Sequence, residues 1–237
     1  EIVKLAREKG FKQIMVASNG KVIADDPDYA RKLGEAGMST IYLQFDGVTP
    51  EPYIVARGFN AFPLKKKVIE NVRKAGGKPN IVLVPTLVRG VNDHQIGDII
   101  RFAAENIDVV RGVDFQPVAF TGRISKEKLR EQRITIPDML KMMEEQLDGE
   151  ITPEDFYTIP ALTPLIEFLR RTRGRGEYPE LSTHPICGVG TYVFKEGKKL
   201  VPITKIINVD ELLNLTKEIK SWSKAEIASK VALRLHK

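Results

Sequence analysis

Cysteine is almost absent from this sequence, in which Cys187 is the single thiol among 237 residues. One cysteine cannot form an internal disulfide framework, and its scarcity is typical of a reducing compartment, so we predict a cytoplasmic location. One thiolate also excludes a complete iron–sulfur or zinc site built from the cysteines of this chain alone.

Long apolar runs and a start methionine are also lacking. No apolar run approaches the roughly 18 residues that a transmembrane helix needs. The chain opens within a helical pattern at residues 1–10, where a signal peptide would not be visible. We expect the chain to be an N-terminally truncated piece of a longer protein.

The net charge of +6 and the pI near 9.3 invite a nucleic-acid interpretation. The basic residues are scattered, however, and most fall on the polar faces of predicted helices, where Lys and Arg are usually solvated. We therefore predict no nucleic-acid partner. An anionic small-molecule ligand, or an acidic domain outside this chain, accounts for the charge equally well.

Four strand-like runs in the first half of the sequence are each followed by a turn and a helix-like segment. They cover residues 13–18, 40–45, 80–88 and 110–115. Strands that recur with intervening helices form a parallel sheet, and such sheets bind ligands at the carboxyl ends of their strands. The pattern thus predicts an α/β fold and the place of a site before it predicts any chemistry.

The strand–helix rhythm stops near Phe120. The segments predicted after it are a charged, turn-like stretch (121–133), two short amphipathic helices (137–147 and 164–173) and a β-hairpin (191–194 and 200–203). A basic, amphipathic tail from residue 209 to 237 is predicted to be helical. It suits a membrane surface, but docking on the rest of the protein is favoured. We predict two domains, residues 1–122 and 123–237.

Polar residues at the first two strand ends are candidates for ligand binding, and each has a structural alternative. Ser18-Asn19-Gly20 suits a ribose or a carboxylate but is also a strong turn signal. Burying Gln44 or Asp46 without a partner costs roughly 1–3 kcal/mol, so a ligand or a fixed neighbour is implied. A helix cap is the competing explanation for Asp46. Arg57 suits a carboxylate through two hydrogen bonds, or is an ordinary surface residue.

The other two strand ends offer further candidates. Thr86 follows Pro85, which removes a hydrogen-bond donor from the strand and fits a bulge facing a ligand. Asn92 and Asp93 are first explained as caps of the next helix. At Gln116-Pro117, backbone groups freed by the proline suit a planar heterocycle.

Cys187 lies in the segment His184-Pro185-Ile186-Cys187-Gly188, which has the composition of a metal or cluster ligand on a tight turn. The alternative is a small buried hydrophobic residue, which is the commoner role of a lone cysteine. The sequence leaves both interpretations open.

Taken in order, these segments resemble the middle and later strands of a radical S-adenosylmethionine (SAM) enzyme of the molybdenum-cofactor-cyclase type. The matching pieces are Gly10-Phe11…Ser18-Asn19-Gly20, Ala36-Gly37…Gln44-Phe45-Asp46-Gly47, Ala56-Arg57-Gly58 and Arg89-Gly90-Val91-Asn92-Asp93. The resemblance implies an α/β fold, namely the C-terminal portion of a partial (β/α)6 TIM-like barrel followed by a smaller α+β region.

Within that superfamily, residues 43–47, 90–106, 114–118, 120–123 and 184–192 are most similar to the archaeal-type group that includes the tetraether lipid synthase. This similarity implies C–C bond formation between lipid chains, with a lipid or another small molecule as substrate. The cysteine triad and the GGE-like SAM site of the superfamily do not occur here. The chain by itself is therefore expected to be inactive.

The resemblance assigns SAM binding residue by residue. The assigned positions are Ser18, Asn19, Gln44, Asp46, Arg57, Thr86, Val88, Gln116 and Pro117. Arg57 would pair with the methionyl carboxylate, and Cys187 is the candidate cluster ligand. The resemblance also implies a 4Fe–4S cluster with ligands outside this chain, and an electron donor such as ferredoxin or flavodoxin. In the intact enzyme, reductive cleavage of SAM would supply a 5′-deoxyadenosyl radical that abstracts hydrogen from substrate.

Two other classes of protein stay open. A degenerate, non-catalytic barrel that serves as a binding or scaffold module has the same strand pattern. A phosphate- or aldol-type barrel enzyme needs a lysine, or a paired acid and base, at the strand ends. The sequence shows no such pair.

Overall fold

Short strands alternate with helices in the computed structural model, which describes residues 1–173 and 183–218. The strands are β1 Met15–Ser18, β2 Thr40–Gln44, β3 Asn80–Val84, β4 Thr86–Leu87, β5 Val110–Val113, β6 Gln116–Pro117, β7 Tyr157–Thr158, β8 Val189–Gly190, β9 Val193–Glu196 and β10 Lys199–Pro202. The α-helices are α1 Ile2–Glu8, α2 Lys21–Asp25, α3 Pro27–Glu35, α4 Pro50–Arg57, α5 Phe62–Lys74, α6 Ile96–Glu105, α7 Lys126–Gln132, α8 Ile136–Gln146, α9 Thr163–Arg173 and α10 Val209–Glu218. Short 3-10 helices cover Asp93–Gln95, Pro153–Asp155, Ile159–Leu162, Pro185–Cys187 and Ile203–Lys205.

Four of these strands form a parallel sheet in the order β1-β2-β3-β5. The register places Ala17 beside Tyr42 and Tyr42 beside Val82. Parallel neighbours need a crossover connection, and the helices between these strands provide it. The predicted α/β class is therefore confirmed, and the arrangement is consistent with part of a TIM-like barrel.

Pro85 divides the third predicted strand into two. β3 ends at Val84, and β4 begins at Thr86 and pairs in parallel with β6 in a separate ladder. A proline has no N–H to donate, but the Pro85 carbonyl accepts a hydrogen bond from the Gln116 N–H at 2.8 Å. The break turns the last residues of this strand toward β6. The fourth predicted strand is likewise shorter than expected, because β5 ends at Val113.

One face of the sheet packs against the helices and forms the core. In β2, Ile41 and Leu43 are buried, whereas the alternating residues Tyr42 and Gln44 are half-buried. Successive side chains of a strand point to opposite faces, so Tyr42 and Gln44 lie on the more open face. Full burial of a large aliphatic side chain contributes about 1.5–3 kcal/mol. The covered face therefore holds the sheet together while the open face carries polar groups.

Three short helices were not predicted from the sequence: α2, α4 and α7. Each has five to eight residues, which is too short for a clear apolar period. α4 begins at Pro50, a position where the missing proline N–H has no intrahelical partner to lose. α7 replaces the turn-like stretch that was expected, and Ser125 caps it by accepting a hydrogen bond from the Lys128 N–H at 3.2 Å.

The chain divides into two compact units, Glu1–Met142 and Met143–Lys237. In the second unit, β9 and β10 form the predicted hairpin, shifted by about two residues from the expected first strand. The predicted helical tail is seen as α10, and residues 219–237 lie outside the described residues. The domain boundary predicted after residue 122 stays a prediction. Among the described helices, none has both the length and the apolar character needed to cross a membrane.

Candidate functional site

A buried lysine joins the carboxyl ends of β1 and β2. Lys65, near the start of α5, is 1% exposed. Its Nζ donates hydrogen bonds to the Asn19 backbone oxygen at 2.6 Å and to Gln44 Oε1 at 3.2 Å. Desolvation by burial lowers the pKa of Lys65 to about 8, although the nearby Asp46 carboxylate opposes this shift. One ammonium group thus connects two strand ends.

Asp46 follows β2 and is held by three donated hydrogen bonds to its carboxylate. The Arg57 guanidinium donates from Nε and Nη2 to Asp46 Oδ2 and Oδ1 at 3.1 and 3.0 Å, and Gln44 Nε2 donates to Oδ2. The hydrogen bond to Asp46 raises the pKa of Arg57. The Arg57 side chain is 39% exposed and that of Asp46 only 3%. Asp46 therefore anchors an arginine whose outer part reaches solvent.

Asn92 connects the end of β2 to β4. Its Nδ2 donates to the backbone oxygens of Asp46 and Thr86, each at 2.9 Å, and its Oδ1 accepts from the Val88 N–H at 2.9 Å. Asn92 is 2% exposed, and its side chain makes no cap hydrogen bond. The expected capping role of Asn92 is therefore wrong, because its amide satisfies backbone groups of two strand ends.

We call Asn19, Gln44, Asp46, Arg57, Lys65 and Asn92 the strand-end network. Helix capping does not explain Asp46, since Thr49 is the residue that precedes α4. The fixed neighbours expected for Gln44 and Asp46 are the lysine, the arginine and the asparagine of this network.

The loop after β2 is held tightly against the network. Gln95 accepts a hydrogen bond from the Val48 N–H at 2.8 Å and donates one to Thr49 Oγ1 at 2.6 Å. The Tyr53 hydroxyl donates to the Gly47 oxygen at 2.9 Å. A Cβ on Gly47 would lie 2.5 Å from Gln95 Oε1, so this close approach requires glycine.

Four aromatic rings support the same loop from the core side. Phe45 and Phe102 stack with ring centroids 5.5 Å apart, and Tyr53 meets Phe45 edge to face at 6.3 Å. Phe62, at the start of α5, contacts all three of the other rings. Aromatic pairs of this kind contribute roughly 0.5–1.5 kcal/mol beyond their buried area. The polar network thus rests on a packed aromatic layer.

The open face of the sheet carries a second, smaller group of polar side chains. Gln116 donates from Nε2 to the Tyr42 hydroxyl at 3.3 Å and to Asp114 Oδ2 at 3.2 Å. Gln116 also stands beside Thr86, and Pro117 beside Leu87, in the β4–β6 ladder. These contacts place Gln116 and Pro117 at the carboxyl ends of the strands, next to Thr86.

Ser18 and the Asn19 side chain adopt the turn alternative. Ser18 Oγ accepts from the Gly20 N–H, and Asn19 Oδ1 from the Lys21 N–H, each at 3.0 Å. Ser18 is in register with Leu43, so it shares the face that packs against the helices. A Cβ on Gly20 would lie 2.7 Å from Val68 Cγ2, so α5 can approach this turn only because Gly20 has no side chain.

The structure therefore brings most of the predicted site residues together, and it adds two that were missed. Asn19 contributes its backbone oxygen, Gln44, Asp46 and Arg57 contribute side chains, and Thr86 and Val88 contribute backbone groups. The missed residues are Lys65 and Asn92. Helical spacing could have indicated that Lys65 is buried, because Lys65 precedes the buried Val68 and Ile69 by three and four residues and so shares their face of the helix. Lys65 is also a lysine at the strand ends, which is the residue that a phosphate- or aldol-type barrel enzyme would need, and the sequence did not reveal it. Its side chain is buried away from solvent.

Cys187 is exposed, on the 3-10 helix Pro185–Cys187. Its N–H donates to the His184 oxygen at 2.9 Å, and His184 Nδ1 accepts from the Ile186 N–H at 3.3 Å. The buried-hydrophobe alternative is therefore wrong. Over residues 1–173 and 183–218, no group of three or more His, Cys, Asp or Glu side chains is placed to hold a metal ion. A ligand role for Cys187 stays a prediction.

Comparison with known proteins identifies relatives over most of the chain. Residues 1–103 match the family model described as "Radical SAM superfamily". The chain is 55% identical over 222 residues to the 7,8-dihydro-6-hydroxymethylpterin dimethyltransferase of Methanocaldococcus jannaschii, which covers 92% of this chain and 43% of the relative. It is 30% identical over 154 residues to the GTP 3′,8-cyclase of Acaryochloris marina, covering 59% of this chain and 44% of the relative.

Another relative is the GTP 3′,8-cyclase 3 of Mycobacterium bovis, 30% identical over 130 residues, which are 53% of this chain and 32% of the relative. The chain thus spans less than half the length of these curated relatives. A solved structure titled "Structure of TYW1 with a lysine-pyruvate adduct bound" matches with a TM-score of 0.39 and 20% identity, over 61% of this chain and 44% of that one. This likeness is too low to support an inference.

Proposed function

We propose that this chain is part of a radical SAM enzyme whose strand-end network binds SAM. The premise is that the chain belongs to the radical SAM superfamily, whose family model matches residues 1–103. Superfamily membership implies SAM and a 4Fe–4S cluster as cofactors. When both are bound in the intact protein, they would supply the radical chemistry by which hydrogen is abstracted from substrate. The observation that carries the proposal is the convergence of Gln44, Asp46 and Arg57 at one strand end.

The residues of the strand-end network fit the chemistry of SAM. Arg57 donates to Asp46 from Nε and Nη2, and within the described residues its Nη1 makes no hydrogen bond. That nitrogen is suited to the methionyl carboxylate, since guanidinium–carboxylate hydrogen bonds are among the strongest in proteins. Gln44 and Asp46 offer a donor and acceptors for the ribose or the methionyl amine.

The neighbouring strand ends suit the adenosine part of SAM. Thr86 and Val88 are held in place by Asn92, and Gln116 and Pro117 are paired with β4 at the adjacent edge. Gln116 can hydrogen-bond an adenine edge with its amide, while Pro117 offers an apolar surface. Ser18 contributes to the same site only through the turn that positions Asn19.

The residues of this chain do not fit the iron–sulfur cluster in the same way. The cluster of the superfamily that this chain resembles is held by three closely spaced cysteines, and this sequence has one. The cysteine of this chain therefore does not by itself hold the cluster. The remaining part of the reaction that this chain performs is to bind and orient SAM and to exclude water from one side of it.

We infer that the substrate is a pterin or a related bicyclic heterocycle. The support is the 55% identity over 222 residues to a protein named as a pterin dimethyltransferase, together with relatives named as GTP cyclases. C–C bond formation between lipid chains was suggested by resemblance of short segments, and the names of these relatives give it no support. Ferredoxin or flavodoxin as electron donor, and a cytoplasmic location, stay predictions.

The proposal is tested with the intact protein under anaerobic conditions. After cluster reconstitution and reduction with dithionite, SAM is added alone, with 7,8-dihydro-6-hydroxymethylpterin, or with a lipid acceptor, and 5′-deoxyadenosine is measured by mass spectrometry. We expect 5′-deoxyadenosine to form and the pterin to increase its rate. Stimulation by lipid instead would favour the first substrate hypothesis. A protein with an intact cluster that cleaves no SAM would support the non-catalytic scaffold alternative.

A further inference from the structure

We propose that Lys65 is a positioning residue of the SAM site, which acts by fixing the orientation of the Gln44 side-chain amide. This inference rests on the proposed function for its cofactor, but its geometry stands by itself. Lys65 Nζ lies 3.2 Å from Gln44 Oε1 and 2.6 Å from the Asn19 oxygen. The lysine does not need to touch SAM, since it acts through Gln44.

The direction of the Gln44 amide follows from the hydrogen-bonding chemistry of its two neighbours. A lysine ammonium can only donate, and an ionised carboxylate can only accept. Gln44 must therefore turn its carbonyl oxygen toward Lys65 and its NH₂ group toward Asp46, as is observed. Without the lysine, the Gln44 oxygen loses its donor in this set of contacts, and Asp46 alone is left to hold the amide. Lys65 and Asp46 thereby fix Gln44 from both ends, with its NH₂ group on the Asp46 side.

Packing alone does not call for a charge at position 65. The side chain is 1% exposed, and the next buried residues of α5, Val68 and Ile69, are apolar. Methionine would fill this position with nearly the same shape. Burying an ammonium group is costly unless it is well paired. The lysine nonetheless directs its Nζ toward two oxygens at the ends of two adjacent strands. Its position is thus explained by those oxygens.

The same lysine sets the local charge. Lys65 and Arg57 place two cationic groups around the single Asp46 carboxylate. An excess of positive charge in a half-buried site favours an anionic ligand group. Arg57, as the exposed member, is the group placed to meet the carboxylate of an amino-acid moiety. Lys65, although buried, adds its positive charge to the same preference for an anionic ligand group.

A substitution series in the intact protein tests the proposal. Lys65→Met removes the ammonium and keeps the volume, while Lys67→Met makes the same change at an exposed position of the same helix. We expect Lys65→Met to weaken SAM affinity about tenfold in equilibrium dialysis, with an unchanged or raised melting temperature. Lys67→Met is expected to bind as the wild type does, and Lys65→Gln, which keeps a donor, to recover part of the affinity.

A double-mutant cycle distinguishes positioning from a general structural role. If Lys65 acts mainly through Gln44, then Lys65→Met causes a much smaller loss of SAM affinity in a Gln44→Leu background, where only its charge still acts. Full additivity of the two losses would overturn the proposal. A fall in melting temperature that parallels the loss of affinity would do the same, since it would show that Lys65 serves stability.

A readout without SAM keeps the inference separate from the proposed function. In protein labelled with ¹⁵N-glutamine, the Gln44 side-chain NH₂ resonances are expected to shift on Lys65→Met and to stay in place on Lys67→Met. If the wild type binds no SAM, the proposed function fails, and these resonances still decide whether Lys65 orients Gln44. Resonances that are the same in Lys65→Met and the wild type would refute it.

Discussion

The strand ends of the first unit and the Cys187 turn of the second unit are both short polar motifs, yet they are built differently. In the first unit, Asp46 and Asn92 are each 2% exposed and each makes several hydrogen bonds. In the second, Cys187 is exposed on a three-residue helix. Polar groups become fixed where strands and helices bury them, because an unpaired buried group is costly.

This difference shows what a sequence motif can and cannot imply. A Gly-rich turn with a Cys and a His looks at least as reactive in sequence as a Gln and an Asp after a strand. Within residues 1–173 and 183–218, Gln44 and Asp46 have several side-chain partners that hold them in one orientation, whereas the one side-chain hydrogen bond shown at the Cys187 turn joins His184 to the Ile186 N–H. We expect function in this protein to follow that fixed network.

The largest effect is expected from Asn92→Ala. The substitution removes partners from the Asp46 oxygen, the Thr86 oxygen and the Val88 N–H. Three lost hydrogen bonds at a buried site lower the free energy of unfolding by about 3 kcal/mol. Urea unfolding of the intact protein measures it. Asn214→Ala, at an exposed position of the second unit, is expected to change stability by less than about 0.5 kcal/mol. Equal effects would remove the distinction between the two regions.

A large effect on ligand binding is expected from Arg57→Ala. The loss of the guanidinium should weaken SAM affinity in the intact protein by tenfold or more, since a charge-assisted hydrogen bond contributes roughly 1.5–3 kcal/mol. Arg73→Ala is the matched control, because Arg73 makes a similar two-point contact with Asp108, which precedes β5. Unchanged SAM affinity in Arg57→Ala would refute the assignment.

A moderate and pH-dependent effect is expected from Lys65→Met. Burial lowers the pKa of Lys65 to about 8 from 10.5, so between these values the unfolded chain binds more protons than the folded chain. This lysine therefore makes the folded state more stable as the pH rises from about 8 to about 10.5, with a slope of at most about 1.4 kcal/mol per pH unit.

The stability difference between wild type and Lys65→Met isolates that contribution. It should move in favour of the wild type over this pH range and stay constant below about pH 7, where Lys65 is protonated in both states. Lys67→Met should show no such trend. A flat difference across the whole range would mean that Lys65 keeps its ordinary pKa in the folded protein.

The smallest effect is expected from Cys187→Ser. The thiol is exposed, so the free energy of unfolding should change by less than about 0.5 kcal/mol. The iron content of the anaerobically purified intact protein, measured on the same sample, tests the ligand hypothesis. A lower iron content in the serine variant would support a ligand role for Cys187. An unchanged iron content would contradict that role, and the candidate functional residues of this chain would then all lie in the first unit.

Much of the fold was predictable because its signals are local. The four parallel strands, the start of α3 at Pro27 and the hairpin of β9 and β10 follow from apolar runs, caps and turn residues that lie within a few positions of one another. The short helices α2, α4 and α7 escaped prediction since few residues carry their pattern. The division of the third strand at Pro85 was anticipated only as an irregularity.

The sequence by itself determined the alternation of strands and helices and the sheet edge at which polar residues gather. It also carries, in order along the chain, the short motifs that resemble those of radical SAM enzymes. Tertiary structure decided which of these residues meet. Lys65 bonds Asn19 and Asn92 bonds Asp46, in each case across 46 positions of the chain, and no local pattern records such a pairing. The physical reason is burial: once these side chains leave water, their hydrogen bonds must be made with whatever groups the fold places beside them.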